Sequence, residues 1–599
     1  MAFDGIMVRA ICSELNQLLC NAKVDKVAQP QKDEVVLTFR GIDPATHTNV
    51  QRKLLLSANP AAARICLTRQ NKENPSVAPN FCMLLRKHLS SARFLSARQP
   101  GLERVVVLDF ECRTELFETV TKHLIFEVMG RYSNVILADA KMKILDALRQ
   151  TDLSDDKRRI LPGVVYEMPP AQQKEDLLQI TDVAQVLTFL DEGRLDRYLC
   201  ATFLGMSPLV AREIALGCCG QTDTPVSSLT AEERSLCCRR LNELAQRIRN
   251  EQFCPVFIKS HVADRAGEAK PIEYYCFDIE QYDGTADKDY PETCSQAIEL
   301  FFEEKSRREY FTRASADIRK VLNTVIARLS RKVEHQKGEL FDCQRSQTDK
   351  LYGDLLTANL YLVRGGEREI TVVNYYDPEM KECRIPLDPT RTAVQNAQLY
   401  YRRYKKAQTA QKVLEEQIPL ALHEITYLNG VLESLDHAQS LTDIAQIREE
   451  LVRQGYLHLR AKKMGRQPKK EPSYFPAEFR SADGFVIYAG RNNLQNDYLT
   501  LKMAEKHDIW FHIKNYSGSH VVVCCNGKMP PAQTLTQAAV IAATMGKEAD
   551  GAKVEVDYTE VKNVKKPNGA RPGMVVYDPY QTAVVCPDPA LIDELIVKK

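Results

Sequence analysis

Two runs of apolar residues in the middle third of the chain repeat every seven residues, and that repeat restricts the available folds more than any other feature. Leu414, Ile418, Ala421, Ile425, Leu428, Leu432 and Leu435 follow one another at alternating steps of four and three. Ile318, Leu322, Val325 and Leu329 do the same over a shorter length in a charged background. Such spacing keeps one stripe of a helix turned toward a partner, which is the seam of a coiled coil. Two runs in one chain predict an antiparallel hairpin over residues 291–458. Between them, Gly365-Gly366, the strand-like Ile370–Tyr376 and a stretch ending at Pro389 predict a β-rich tip at about 363–390. Each arm has roughly 60 residues and would reach on the order of 90 Å. Pro419 falls inside the second run and is expected to kink or loosen the local ladder. A reach of that size suits bridging two distant points on a large assembly; no catalytic step needs it.

The flanking thirds mix helix and strand signals. Val105-Val106-Val107-Leu108, Leu124–Met129 and Asn134–Ala138 read as buried strands and Phe81–Leu89 as a helix, so residues 1–175 are expected to form an α+β domain. Residues 180–250 read as all-helical. Within them, Phe203-Leu204-Gly205-Met206-Ser207-Pro208-Leu209 places a glycine turn before a serine at a capping position and a proline at the first helical position. That pattern fits a helix-hairpin-helix, whose turn amides can hold a phosphate, and it equally fits a plain αα-corner. Strands near 253–280, at Phe253–Ser260 and Glu273–Asp278, are expected to pair back onto the first domain. Past the coiled coil, a basic linker is expected at 459–473, with six cations and no acid between Arg460 and Lys470. Residues 474–590 read as a second α+β domain. Its candidate strands are Phe485–Ala489, Ile509–Ile513, His520–Cys524, Val554–Tyr558 and Thr582–Val585, with a helix at Ala532–Met545.

Composition narrows the function classes. At 599 residues with 44% apolar content the chain is expected to form three or four packed units. No stretch approaches the roughly 18–20 consecutive apolar residues of a membrane helix. Met1-Ala2-Phe3-Asp4-Gly5 has an early acid and does not lead into an apolar run, which argues against a signal peptide. The 18 cysteines are dispersed and include no C-x-x-C pair, so reduced thiols in a cytoplasmic protein are the expectation. Net charge is only +2, so nucleic-acid contact has to come from local patches. The linker is one, and Lys562, Lys565 and Lys566 form another; both also fit solvated surface.

One strand concentrates the side chains that could carry chemistry. Asp508, Trp510, His512 and Lys514 alternate onto one face, with Ile509, Phe511 and Ile513 on the other. Indole, imidazole and ammonium together suit stacking and phosphate contact with unpaired RNA. The same residues equally suit a structural role, with Asp508 fixing the imidazole tautomer. Asp508, His512 and His520 do not have a strong metal-ligand spacing, and no metal or other cofactor is expected.

Longer motifs then come into view. Gly490-Arg491-Asn492-Asn493-Leu494-Gln495-Asn496-Asp497-Tyr498-Leu499-Thr500, the strand Asp508–Lys514 and Gly518-Ser519-His520-Val521-Val522 resemble the RNA-binding module of the RqcH/NFACT family. Val556-Asp557-Tyr558-Thr559, Val561–Pro567 and Gly573 extend the resemblance. Phe3-Asp4-Gly5, Phe81–Lys87 and Glu127-Val128-Met129-Gly130-Arg131-Tyr132-Ser133-Asn134 are similar to its N-terminal motifs, and Leu387-Asp388-Pro389 with Asn396-Ala397-Gln398 to its coiled-coil region. The motifs occur in the family's order and span nearly the whole chain. The resemblance implies a multidomain α+β fold: a glycosylase-like N-terminal domain, a helix-hairpin-helix, a long antiparallel coiled-coil hairpin and a C-terminal RNA-binding module.

It also implies a bacterial ribosome-associated quality control factor. Such a factor binds stalled large ribosomal subunits carrying peptidyl-tRNA, recruits alanyl-tRNA and directs template-free alanine tailing of the nascent chain for degradation. The implied partners are rRNA, stalk-region proteins, tRNA and a small RNA-binding accessory factor; the peptide bond is left to the ribosome, so no catalytic residue is expected. Contacts to tRNA are expected from Glu103, Arg104 and Arg131, and contacts to RNA from Arg491, Asn492, Asn493, Asp508, Trp510, His512, Lys514, His520, Lys562, Lys565 and Lys566. Glu103 stands where the family typically has Asp, and Lys514-Asn515-Tyr516-Ser517-Gly518 lacks the Asp and Pro that often follow the lysine. The competing expectations are a ribosome-bound scaffold without tRNA selection and a fibronectin-binding adhesin, a description also given to the family. Glycosylase chemistry is not expected, because the chain begins Met-Ala-Phe and not with the Pro-Glu pair that chemistry uses.

Overall fold

The computed structural model describes residues 3–44, 46–114, 118–151, 158–180, 183–184, 193–263, 269–438, 440–458, 476–546 and 553–597. The basic linker expected at 459–473 therefore lies outside the described residues. The chain forms two compact units, Met1–Glu309 and Tyr310–Lys599.

The first unit is built on a nine-stranded antiparallel sheet. From edge to edge its strands are Arg64–Thr68, Asn49–Ser57, Glu34–Ile42, Lys23–Gln31, Arg93–Arg98, Val105–Arg113, Thr119–Glu127, Asn134–Asp139 and Ile144–Ala147. One plan is used twice: helix Gly5–Leu19 leads into the first four strands of the sequence, and helix Asn80–Leu89 into the remaining five. At each junction one residue takes a left-handed φ, Asn21 at 61° and Ser91 at 62°, and a buried alanine follows. The junctions lie side by side, with the Val24 N–H donating to Ala92 O and the Phe94 N–H to Ala22 O, both at 2.9 Å. Residues Val105 to Phe110 are buried throughout. Val106, Leu108 and Phe110 join the core under the helices, while Val105 and Val107 pack with Ile125, Ile160 and Tyr166 on the other face. Cover on both faces explains an unbroken apolar run in place of alternation.

Helices Leu195–Thr202 and Pro208–Cys219 enclose the glycine turn read from the sequence, and Ala231–Arg249 follows. Ser207 holds the N-cap position, but its side chain makes no capping bond. Close backbone approach fixes this turn. A Cβ on Gly205 (φ 72°) would lie 2.5 Å from Leu102 O, and one on Gly5 would lie 1.9 Å from the same atom. The Gly5 N–H donates to Gly205 O at 3.0 Å. The strands near 253–280 do not pair back onto the large sheet. Val256–Ala263, Ala269–Tyr275 and Ala286–Asp289 form a separate three-stranded sheet. Val256, Ile258, Tyr274 and Tyr275 reach the common core through their side chains, so their burial does not require edge pairing.

In the second unit the two seams meet. Ile318, Leu322 and Leu329 pack with Leu428, Val431 and Leu435, and further along Val333 packs with Leu414, Ile418 and Ala421. The helices carrying them, Cys294–Arg345 and Ala393–Asp436, have 52 and 44 residues. At 1.5 Å per residue that is about 80 and 65 Å, shorter than the sequence suggests; a break at Ser346 starts a new helix, Gln347–Ala358. Pro419 sits inside its helix without ending it. The tip contains the hairpin Glu369–Val373 with Glu382–Pro386, its Val372 and Ile385 packed on Leu355 and Leu356. Asn396 closes the tip: its Oδ1 accepts the Asp388 N–H at 2.8 Å, and its Nδ2 donates to Asp388 O, Arg391 O and Thr392 O. Asn396 is buried, so Asn396→Ala removes four bonds at once and is expected to cost about 1–3 kcal/mol, read as faster amide exchange across residues 387–400.

The C-terminal part of this unit is a six-stranded sheet in the order Ala477–Arg480, Val486–Ala489, Val521–Val523, Ile509–Ile513, Val554–Glu560, Gln581–Val585. Helix Ala532–Gly546 covers one face through Ala538, Ala539, Ile541, Ala542 and Ala543. The other face is covered by Leu499, Val561 and Val564, packed on Trp510 and Val522. Among the described residues no helix is long and apolar enough to cross a membrane.

Candidate nucleic-acid interface

The residues expected to meet RNA divide into three groups. At one end of the large sheet, Glu103 and Arg104 lead into the strand Val105–Arg113, and Arg104 O accepts the Val128 N–H at 2.9 Å. That bond brings the turn Gly130–Tyr132, carrying Arg131, to the same end of the sheet. Arg131 is exposed, lies 4.7 Å over the Tyr132 ring and donates to its hydroxyl at 2.7 Å. Glu103 and Arg104 also line a cleft of about 210 Å³ with Asp4, Lys174 and the hairpin turn Gly205–Pro208. The Lys174 ammonium donates to Cys200 O at 2.9 Å. Burial pushes the Glu103 carboxyl above its usual range, against the pull of Arg104 and Lys174. At the cleft's base Asp4 accepts the Met7 N–H and the Tyr275 hydroxyl, each at 2.9 Å, and burial raises its pKa to about 6. Two cations, Arg104 and Lys174, and two carboxylates, Asp4 and Glu103, thus share the cleft with the start of helix Pro208–Cys219. Lys174 was not legible as part of it, since no motif marks the residue and only the fold brings it there.

The second group lies inside the protein. Trp510 is 0% exposed and His520 is 0% exposed; Asn492 and Asp508 are also buried. Trp510 stacks on His512 at 5.5 Å and meets His520 edge-on at 5.2 Å and Tyr577 at 4.8 Å. Burial lowers the His512 pKa to about 4 and that of His520 further, so both rings are neutral at physiological pH. The stacking-platform expectation for this face is therefore corrected: the segment 499–504 and the stretch after Val561 cover it. Asp508 does not orient an imidazole either. Its carboxylate accepts the Glu505 and Cys525 N–H groups, both at 2.8 Å.

Much of the Gly490–Thr500 motif serves the joint with helix Leu441–Arg453. Asn492 caps helix Asn493–Tyr498 and donates from Nδ2 to Gln446 Oε1 at 2.9 Å. Gln495 donates to Gln446 Oε1 at 2.8 Å and to Asp443 Oδ1 at 3.2 Å, and Asn493 donates to Glu450 Oε1 at 2.9 Å. Arg491 lies 3.9 Å from Asp443.

The third group is on the surface but in two places. Lys514 follows the end of the strand Ile509–Ile513 where Ile513 pairs with Val556. Its ammonium lies 5.5 Å over the Tyr580 ring, with Glu555 at 3.7 Å and Asp557 at 3.8 Å. Lys562 follows the opposite end, where Ile509 pairs with Glu560, and is ion-paired to Glu560 at 2.7 Å. Lys565 is exposed nearby, and Lys566 is tied to Asp497. The structure does not gather these lysines into one patch.

Residues 475–577 match the family model described as the NFACT protein RNA binding domain, which makes this a multidomain RNA-binding protein with that module at the end of a coiled-coil hairpin. Residues 4–471 match the model described as the NFACT N-terminal and middle domains. The chain belongs to the NFACT family. It is similar to the Rqc2 homolog RqcH of Bacillus subtilis, 36% identical over 98% of this chain and 98% of that protein. It is 30% identical to the Rqc2 homolog RqcH of Streptococcus pneumoniae, again over 98% of both chains. The ribosome quality control complex subunit NEMF of Mus musculus is 25% identical over 66% of this chain and 37% of its own length.

Proposed function

We propose that the chain is a ribosome-associated quality control factor. It binds stalled large ribosomal subunits that carry peptidyl-tRNA, recruits a tRNA charged with alanine, and directs template-free alanine tailing of the nascent chain. The observation that carries this reading is the co-linear match to RqcH along 98% of the chain. The protein forms no bond itself. Its contribution is positioning: holding a charged tRNA where mRNA and the small subunit no longer do so lowers the entropic part of the barrier, while the ribosome makes the peptide bond. Arg104, Arg131 and Lys174 supply cations for tRNA phosphates, and the coiled-coil hairpin gives the reach to touch the subunit elsewhere. Glu103 keeps the carboxylate of the family's Asp, one methylene further out.

The test is sequencing of RNA cross-linked to the full chain in its native cytosol, wild type against Arg104→Ala. Large-subunit rRNA with one dominant tRNA is expected for the wild type. The tRNA should fall by about tenfold in the variant, the scale of one lost arginine contact, while the rRNA stays. Ribosomal RNA without any tRNA would reduce the protein to a ribosome-bound scaffold, and no RNA enrichment would sink the proposal.

A further inference from the structure

The first four strands of the large sheet carry a feature that the tRNA reading does not use. Lys26 pairs with Thr38, Thr38 with Lys53 and Lys53 with Thr68, so a row of alternating ammonium and hydroxyl groups crosses four neighbouring strands. The next row, Ala28, Val36 and Leu55, is apolar and also in register. The chain after the edge strand walls the row with Asn71, Lys72 and Asn74, and the whole encloses a cleft of about 270 Å³. That is near the lower limit of small-ligand pockets, roughly 300 Å³.

This is the sheet face turned away from the helices. Phe39 and Phe110 stack at 6.3 Å within the core, so Thr38 and Val107, one and three residues off by alternation, share the opposite face. On the half of the sheet around Val107 that face is covered by the chain's own Ile160 and Tyr166. On the Lys26 half that face carries the cleft instead, with Lys26 exposed, Ala28, Val36 and Lys53 half-buried, and Thr38 and Leu55 buried beneath them. Charge there is not balanced. Lys72 is ion-paired to Glu34 at 2.6 Å, and Asp25 is taken by Arg40 at 3.3 Å. Among the described residues, the exposed Lys26 makes no ion pair and the Lys53 ammonium is bonded only to the Asn71 amide oxygen.

We propose that this cleft binds a nucleoside phosphate unit, its base on the apolar row and its phosphate between Lys26 and Lys53. Two uncompensated ammonium groups beside hydroxyls suit a phosphate. A flat apolar floor with the amides of Asn71 and Asn74 at its margin suits a base edge. The unit has two sources, an unpaired nucleotide within an RNA strand or a free nucleotide. The site stands on its own geometry; only the RNA source rests on the proposed function.

The test uses the full chain and two probes, a 3′-fluorescein octamer of adenylate and 5′-AMP as its competitor, with Lys26→Glu and Lys53→Gln as variants. Anisotropy titration should show octamer affinity falling at least about tenfold in Lys26→Glu, and its salt slope falling by about 0.7 for the lost single-strand phosphate contact. Competition by AMP with the same sensitivity assigns a free nucleotide, and octamer binding alone assigns a strand. Because Lys53 is half-buried, an octamer carrying 4-thiouridine is also cross-linked to the wild-type chain and mapped by mass spectrometry. Cross-links within Lys23–Gln31 or Asn49–Ser57 are expected. Binding unmoved by Lys26→Glu, or cross-links elsewhere only, overturns the site. A wild-type chain that enriches no RNA from its cytosol sinks the preceding proposal and leaves this site standing with a free nucleotide as its source.

Discussion

Trp510→Ala should destabilise the C-terminal module by about 3–5 kcal/mol, the range for emptying a buried aromatic site. The indole is wholly enclosed by Leu499, Val522, Val561 and Val564 and flanked by His512, His520 and Tyr577. Its Nε1 is buried without a partner among the described residues, so Trp510→Phe loses volume but no hydrogen bond and should cost much less. Amide exchange across residues 476–546 of the full chain is the measurement. Strong deprotection in Trp510→Ala, and little in Trp510→Phe, fits an interior residue. A module that keeps its protection in Trp510→Ala yet loses its RNA cross-links would return the indole to the RNA surface.

The second large effect concerns Glu450, which is 1% exposed. Its Oε1 accepts the Tyr427 hydroxyl at 2.6 Å and the Asn493 amide at 2.9 Å. Burial dominates and raises its pKa from 4.5 to about 7, with Asp497 raising it and Lys566 lowering it as the nearby charges. Between those values the folded chain holds a proton that the unfolded chain has released. The stability from this group is therefore complete below pH 4.5 and is lost as pH rises toward 7. At about 1.4 kcal/mol per unit the swing is about 3 kcal/mol. Glu450→Gln keeps the shape and cannot titrate, so exchange of the amides in helix Leu441–Arg453 should become flatter with pH in the variant. Parallel pH profiles for the two chains would remove Glu450 as the cause.

The seam residues Ile318, Leu322, Leu428 and Leu435 were readable because helical period and burial coincide. Strand Ile509–Ile513 was readable because alternation separates two faces. Which face is covered was not, since a period of two says nothing about what packs above the sheet; the cover on Trp510 comes from the segment 499–504 before the strand and from Val561 and Val564, more than fifty positions after it. Asn492 and Asn493, expected at RNA, sit at a helix joint for a related reason. Amides that bind a helix and amides that bind RNA look alike in a motif, and only the position of Asp443, Gln446 and Glu450 separates the two. Lys174, Gly205 and Arg104 are far apart in sequence and meet through the close packing of Gly5 and Gly205 on Leu102, a contact that leaves glycines in the sequence but not the identity of their neighbours.

The bonds from Asn492, Asn493 and Gln495 to helix Leu441–Arg453 also have a mechanical meaning. Apolar contacts would let a domain roll on a helix, trading one leucine for the next at small cost. Directional amide bonds do not permit this, because a turn by one residue, about 100°, leaves several buried donors without acceptors. The joint behaves as a keyed shaft: torsion applied at the end of the arm reaches the RNA-binding module as rotation of the whole body, with little slip.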